Sequence, residues 1–207
     1  MGKLFVWDYH GTLEKGNDGT VIEITNRILE RNGHKERLTE VKAAELTGRN
    51  WWEYFWRLLP ELPPEAFSKY AAQCVAEFNA HPELMLKYIK PNDNAHEVMD
   101  SIALKHTQIL ISQVHRKVLG HFMKATGIER FFPEGHAFGT LDEGKSKQQV
   151  LFDYLSGKSF DAIVAIGDSP HDMIGTVNYL YAHPKRQHRD CKTEYKIHNL
   201  SDVLREV

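Results

Sequence analysis

Hydrophobic positions fall into two patterns along this chain, and the order in which they alternate predicts its architecture. A continuous apolar run, Leu4-Phe5-Val6-Trp7, is cut off by Asp8, so residues 3–8 read as a strand buried on both faces. Helical spacing follows. Val21, Ile24 and Ile28 recur up to a stop at Asn32-Gly33, and Thr39 can cap a short helix that ends at Gly48. Trp51, Tyr54, Phe55, Leu58 and Leu59 lie on one helical face, ended by Pro60 and Pro63-Pro64. Pro64 suits the first turn of the next helix, striped by Phe67, Tyr70, Ala71, Cys74, Val75 and Phe78.

After Pro91 strands and helices alternate. Ala95, Val98, Met99, Ile102 and Ala103 stripe a helix, and Thr107–Ser112 is a short buried run. Val118, Leu119, Phe122 and Met123 stripe another helix, closed by Gly127, and Val150, Leu151, Tyr154 and Leu155 a third. Residues 162–167 form the next buried strand, with weaker strands near 179–182 and 195–198 and a last helix capped by Ser201. Near-continuous apolar strands alternating with helices predict an α/β fold with a doubly wound parallel sheet. The expected boundaries are a core of residues 1–13 and 91–207, with residues 14–90 inserted as a helical domain. In such sheets ligands bind outside the carboxyl ends of the strands.

Composition narrows the partners. With 42% hydrophobic and 26% charged residues and a formal charge of −2, the 207-residue chain has no basic excess for wrapping nucleic acid or an anionic membrane. No stretch reaches about 18 apolar residues, so no membrane span is expected. Cys74 and Cys191 stand alone, without a CxxC, and fit a reducing, cytoplasmic setting, with Cys74 as a packing residue. The 12 histidines show no metal-ligand spacing as a set and are expected to be surface or packing residues.

Three strands end in groups that can do chemistry: Asp8, Ser112 and Asp168, with Lys145 and Lys147 preceding the helix before the third. Singly, Asp and Ser at such places are caps or turn residues. In this order they bring two acids, a hydroxyl and a lysine to one sheet edge. Asp8-x-x-Gly11-Thr12-Leu13, the hydroxyl after Ile109-Leu110-Ile111, a lysine before a helix and the stretch IGDSPHDM at 166–173 resemble the haloacid dehalogenase-like phosphohydrolases. YIKPNDNAHEVMDSI and GIERFF resemble that family's re-entry into its core and its link toward the fourth strand. The resemblance is to subfamily I, the phosphoglycolate phosphatase and β-phosphoglucomutase-like branch, with a helical type-1 cap.

The resemblance implies a Mg²⁺-dependent phosphatase. Asp8 is then the nucleophile and a metal ligand, with Asp168 and Asp172 as further metal-site carboxylates and the His10 carbonyl as a ligand. Phosphate oxygens fall to Gly11, Thr12, Ser112, Gln113 and one lysine. Lys145 stands five residues before Val150 and Lys147 three before it; both match family spacings, and Lys145 is preferred. The chemistry suits the residue types. A carboxylate in line with phosphorus can form an aspartyl-phosphate, and a divalent cation offsets the meeting of negative charges.

His10 departs from the family pattern, which usually carries an aspartate acid–base there. Imidazole is competent for that step, although a nearby cation disfavours its charged form. Three readings stay open: a working acid–base; altered chemistry such as phosphoryl transfer, C–P or C–halogen cleavage; or a poorly active phosphate-binding regulatory module. The intact GDSPHD run weakens the dehalogenase version. A helical cap favours a small phosphorylated metabolite, with the chain a monomer or homodimer. In the loop Thr47-Gly48-Arg49, Arg49 either holds a second anionic group of the substrate or lies exposed. Trp51 belongs to the core stripe, whereas Trp52 and Trp56 line the cleft or, preferentially, pack. The basic run 185–189 reads as a solvated loop, with contact to an anionic ligand as its rival.

Overall fold

Strand β1 (Leu4–Trp7) is buried at every position, which is why its sequence shows no polar alternation. It is central in a six-stranded sheet of a computed structural model that describes residues 2–46, 49–142, 144–184 and 186–207. The other members are β4 (Thr107–Ser112), β5 (Ala137–Gly139), β6 (Ile163–Gly167), β7 (Val177–Tyr181) and β8 (Tyr195–Ile197). Their order is β5-β4-β1-β6-β7-β8, and every neighbouring pair is parallel. A shorter pair, β2 (Glu14–Lys15) and β3 (Lys90–Pro91), is antiparallel and has Glu14 opposite Pro91. The sequence reading missed both, because two residues carry no periodicity. It also missed β5, only three residues long.

Alternating side chains of β1 serve opposite faces. Leu4 and Val6 join Ile109, Ile111, Ala165 and the helix α8 (Lys147–Leu155) in one apolar cluster. On the other side the Trp7 indole donates to Gln108 Oε1 at 3.0 Å, and Gln108 Nε2 donates to the Met99 carbonyl of α6 (Ala95–Ala103) at 2.9 Å. Both ends of that buried amide are thereby satisfied. The helix α7 (Arg116–Thr126) closes at Gly127, as expected. The final turn, Leu200–Glu206, is a 3₁₀-helix capped by the Asn199 side chain through the Ser201 N–H. The expected cap, Ser201, is one of its members.

The chain divides into two compact units, Met1–Lys15 with Lys90–Val207, and Gly16–Ile89. Among its described residues the second holds helices and no strand: α1 (Asn17–Arg31), α2 (Glu40–Leu46), α3 (Trp51–Leu58), α4 (Pro64–Ala80) and α5 (Pro82–Tyr88). Ile24, Ile28, Phe55, Phe67, Tyr70 and a fully buried Cys74 make its core. The Thr39 hydroxyl accepts from Lys42 N at the start of α2, as a cap should. Trp52 is half-exposed, and its ring meets Phe67 edge-on at 5.4 Å. Arg49 pairs with Glu53 at 2.7 Å; Thr47 and Gly48 lie outside the described residues. Among the described residues no helix is long and apolar enough to cross a membrane.

α8 begins in a capping box: Ser146 Oγ accepts from Gln149 N at 3.2 Å, and Gln149 Oε1 accepts from Ser146 N at 2.8 Å. This box sets where Lys147, the first helical residue, projects. Ser146→Ala is expected to lower the stability of the α/β unit by about 1 kcal/mol, read as a lower urea midpoint with an unchanged slope.

Candidate active site

Parallel pairing in register brings three strand ends to one level. Trp7 lies opposite Leu110 on one side and Ile166 on the other, and Asp8 N donates to the Ile166 carbonyl at 2.9 Å. Asp8 therefore leaves β1 where β4 ends in Ser112 and β6 in Gly167. A tight loop, residues 9–13, then turns the chain. Gly11 has φ +76°, and a Cβ there would meet Asp168 Oδ2 at 2.7 Å, so glycine is needed both for the backbone and for the carboxylate's approach. Gly167 has a parallel reason: a Cβ on it would overlap the side chain of Asp172.

Asp172 stands on a short 3₁₀ turn, Pro170–Asp172, and its Oδ2 accepts from Ser169 N at 2.9 Å and Ser169 Oγ at 2.7 Å. Its other oxygen, Oδ1, accepts from Lys147 Nζ at 2.5 Å, and the same ammonium donates to Asp8 Oδ1 at 2.5 Å. Thr12, fully buried, donates from Oγ1 to Asp8 Oδ2 at 3.3 Å. Asp168 accepts from Arg189 Nη2 at 3.0 Å.

The electrostatics follow from this crowding. Burial pushes the Asp8 carboxyl above its ordinary range and the Asp172 charge adds to it, against the pull of Lys147. Burial, then the Asp8 charge, lifts Asp168 to about 7 despite Arg189. Burial also opposes the charge on Lys147, but Asp8 and Asp172 outweigh it and hold the amine above its usual range. Three carboxylates thus share two described cations. Oxygens of Asp8, Asp168 and Asp172 lie within 4.8 Å of one another, a cluster that could hold a metal. An all-oxygen donor set short of positive charge fits a hard divalent cation.

The structure sorts the remaining expected residues. Lys147, not Lys145, reaches Asp8; Lys145 lies one residue before the cap and pairs with Asp153 at 3.0 Å. The lysine joined to the aspartates is thus Lys147, the first residue of α8, whereas Lys145 was the one preferred for phosphate. Ser112 is buried at the end of β4, while Gln113 is exposed. The Gly11 N–H, expected at phosphate, donates to Glu14 Oε1 at 3.1 Å. His10 Nδ1 meets the same oxygen at 3.2 Å. Two participants escaped the sequence reading. Glu14 follows an apolar residue in a loop with no period, and only its i+4 distance from His10 hinted at a pair. Arg189 sits in the run read as solvated, and its contact with Asp168 is set by the chain's return after β7; Lys185 of that run lies outside the described residues.

The lysines can be told apart without catalysis. Lys147→Ala leaves two buried carboxylates unpaired and is expected to cost about 3–5 kcal/mol in metal-free protein. Lys145→Ala loses a surface pair and should change stability by less than about 0.5 kcal/mol. Chemical denaturation in a chelator compares them, and equal losses would contradict the assignment.

No curated protein matches the chain. Among solved structures, a HAD family hydrolase from Deinococcus radiodurans R1, with bound phosphate and sodium, superposes with a TM-score of 0.70 at 16% identity, covering 98% of this chain and 93% of that one. A candidate β-phosphoglucomutase from Thermotoga maritima (TM-score 0.69, 16% identity) and a candidate phosphoglycolate phosphatase from Lactobacillus plantarum (0.74, 15%) each align over 100% of both chains. At these identities the likeness establishes the fold. The model of the haloacid dehalogenase-like hydrolases matches residues 5–179, a span that includes all but the first residue of β1, the helical unit and all three clustered aspartates. The chain belongs to the haloacid dehalogenase-like hydrolase family.

Proposed function

We propose that the protein is a Mg²⁺-dependent phosphatase that hydrolyses a small phosphorylated metabolite through an aspartyl-phosphate on Asp8. One observation carries the reading: the Lys147 ammonium joins Asp8 to Asp172 at 2.5 Å each, beside Asp168, at the carboxyl edge of the sheet. A lone carboxylate would repel a phosphate dianion, whereas one held by a fixed cation is aimed and partly neutralised. The phosphate held by the Deinococcus relative supports the substrate class.

Asp8 attacks phosphorus with one carboxylate oxygen, and the ester oxygen leaves with a proton from His10. His10 then takes a proton from water as that water attacks the acyl phosphate, and Asp8 is regenerated. Lys147 holds Asp8 throughout and neutralises phosphate oxygens as they crowd. Ser112 and Gln113 follow the end of β4 and are proposed to bind those oxygens, with Thr12 fixing the orientation of Asp8. Asp8, Asp168 and Asp172, with the His10 carbonyl, would hold Mg²⁺, which when bound supplies counter-charge and Lewis acidity. Insertion of the helical unit between β2 and β3 supports a cap role for it, with Arg49 and Trp52 as candidate substrate contacts. A capped site favours a small soluble substrate, and free Cys74 and Cys191 support a cytoplasmic setting.

With Mg²⁺, the parent protein should turn over p-nitrophenyl phosphate and acetyl phosphate. Asp8→Asn is expected to lower both rates by on the order of 10³-fold or more, and a chelator to remove them reversibly. Lys147→Ala should cost about 10²-fold or more. Turnover that survives in Asp8→Asn would refute the nucleophile, and a parent inert with both substrates would favour the phosphate-binding module.

A further inference from the structure

We propose that Glu14 is the positioning residue for proton transfer by His10: its carboxylate holds Nδ1 of the imidazole and leaves Nε2 as the nitrogen that exchanges the proton. The inference rests on the phosphatase reading and explains how a histidine can stand where the family usually carries an aspartate. Glu14 lies in β2, where pairing opposite Pro91 fixes its backbone. Its side chain is only 1% exposed, against 26% for His10. A carboxylate so buried is costly unless its oxygens are occupied. Oε1 accepts from Gly11 N at 3.1 Å and faces His10 Nδ1 at 3.2 Å.

A carboxylate only accepts, so the hydrogen on the shared edge belongs to the imidazole. That selects the Nδ1–H tautomer and leaves the Nε2 lone pair outward. Among the described residues Nε2 has no hydrogen-bond partner. The ring is clamped as well: it stands edge-on to Tyr9 (5.0 Å, 86°) and to Phe122 (4.7 Å, 88°). Tyr9 is itself tied down, donating to the Phe122 carbonyl at 2.9 Å. The half-buried Arg186 is a cation that acts on Glu14. His10 thus has a partner on one nitrogen, a fixed plane and a second nitrogen without a hydrogen-bond partner among the described residues, two residues along the chain from the proposed nucleophile, the arrangement by which carboxylates orient catalytic imidazoles.

The proton balance is complete. As the Asp8–phosphorus bond forms and the phosphorus–oxygen ester bond breaks, the Nε2 proton of the imidazolium passes to the leaving oxygen. As water then attacks phosphorus and the Asp8–phosphorus bond breaks, neutral Nε2 takes the water proton. Glu14 keeps Nδ1–H in both steps and changes neither its charge nor its partner.

Two measurements test this on the full-length protein. In ¹⁵N-histidine-labelled parent protein at alkaline pH, with the His10 signals assigned by their loss in His10→Asn, the ring should be the Nδ1–H tautomer; an Nε2–H tautomer would overturn the proposal. In kinetics, Glu14→Gln should lower kcat for phenyl phosphate, whose leaving group needs a proton, by about 10²-fold. For p-nitrophenyl phosphate the loss should be at least ten times smaller. Equal losses with the two esters would mark Glu14 as merely structural and overturn the proposal. Should Glu14→Gln fail to fold, the parent tautomer alone decides. Turnover unaffected by Asp8→Asn would instead refute the phosphatase reading, while the tautomer still reports on the pairing.

Discussion

Three carboxylates, two of them buried, repel each other at one edge of a parallel sheet, and the Lys147 bridge lets the fold hold the buried two together. The ammonium reaches Asp8 and Asp172 at 2.5 Å each, so β1, the turn after β6 and the first residue of α8 are tied through one charge. A pair so buried is expensive to desolvate and contributes less to stability than to geometry. Its effect is to fix which oxygen of Asp8 is held and which remains for chemistry. Arg189 offsets part of the Asp168 charge, and the three aspartates together form a cluster that could hold a cation.

The sheet serves this arrangement. Parallel strands expose their carboxyl ends together, and crossover helices cover both faces, so polar groups at those ends are the ones placed for ligands. The close approaches are bought with glycine. Gly167 lets Asp172 sit against the strand end, and Gly11 lets the loop bend beneath Asp168. These positions are constrained by contact and not by loop flexibility.

Much of this was legible in the sequence, for definite reasons. Buried parallel strands betray themselves as unbroken apolar runs, and two of them lead directly into Asp8 and Asp168 of the carboxylate cluster. Which of Lys145 and Lys147 meets the aspartates was not legible, since both spacings suit a helix start; the Ser146–Gln149 box places 147 first in α8, where it reaches Asp8 and Asp172. Glu14 and Arg189 were hidden for a different reason. Each owes its role to where a loop returns in space, which neither periodicity nor composition encodes. β2, β3 and β5 are too short to produce a pattern.

The histidine gains sense from the same geometry. Asp8 and His10 flank one turn, and Glu14, four residues beyond His10, closes back on it. The loop therefore carries the proposed nucleophile, the proposed proton carrier and the carboxylate proposed to orient it within seven residues, 8–14. The central claim is that Asp8 itself takes the phosphoryl group. Protein quenched in acid during acetyl phosphate turnover and mapped by mass spectrometry should show one phosphoryl adduct on the peptide containing Asp8, released by hydroxylamine and absent from Asp8→Asn. Steady turnover with no such adduct, or an adduct on His10 instead, would contradict it.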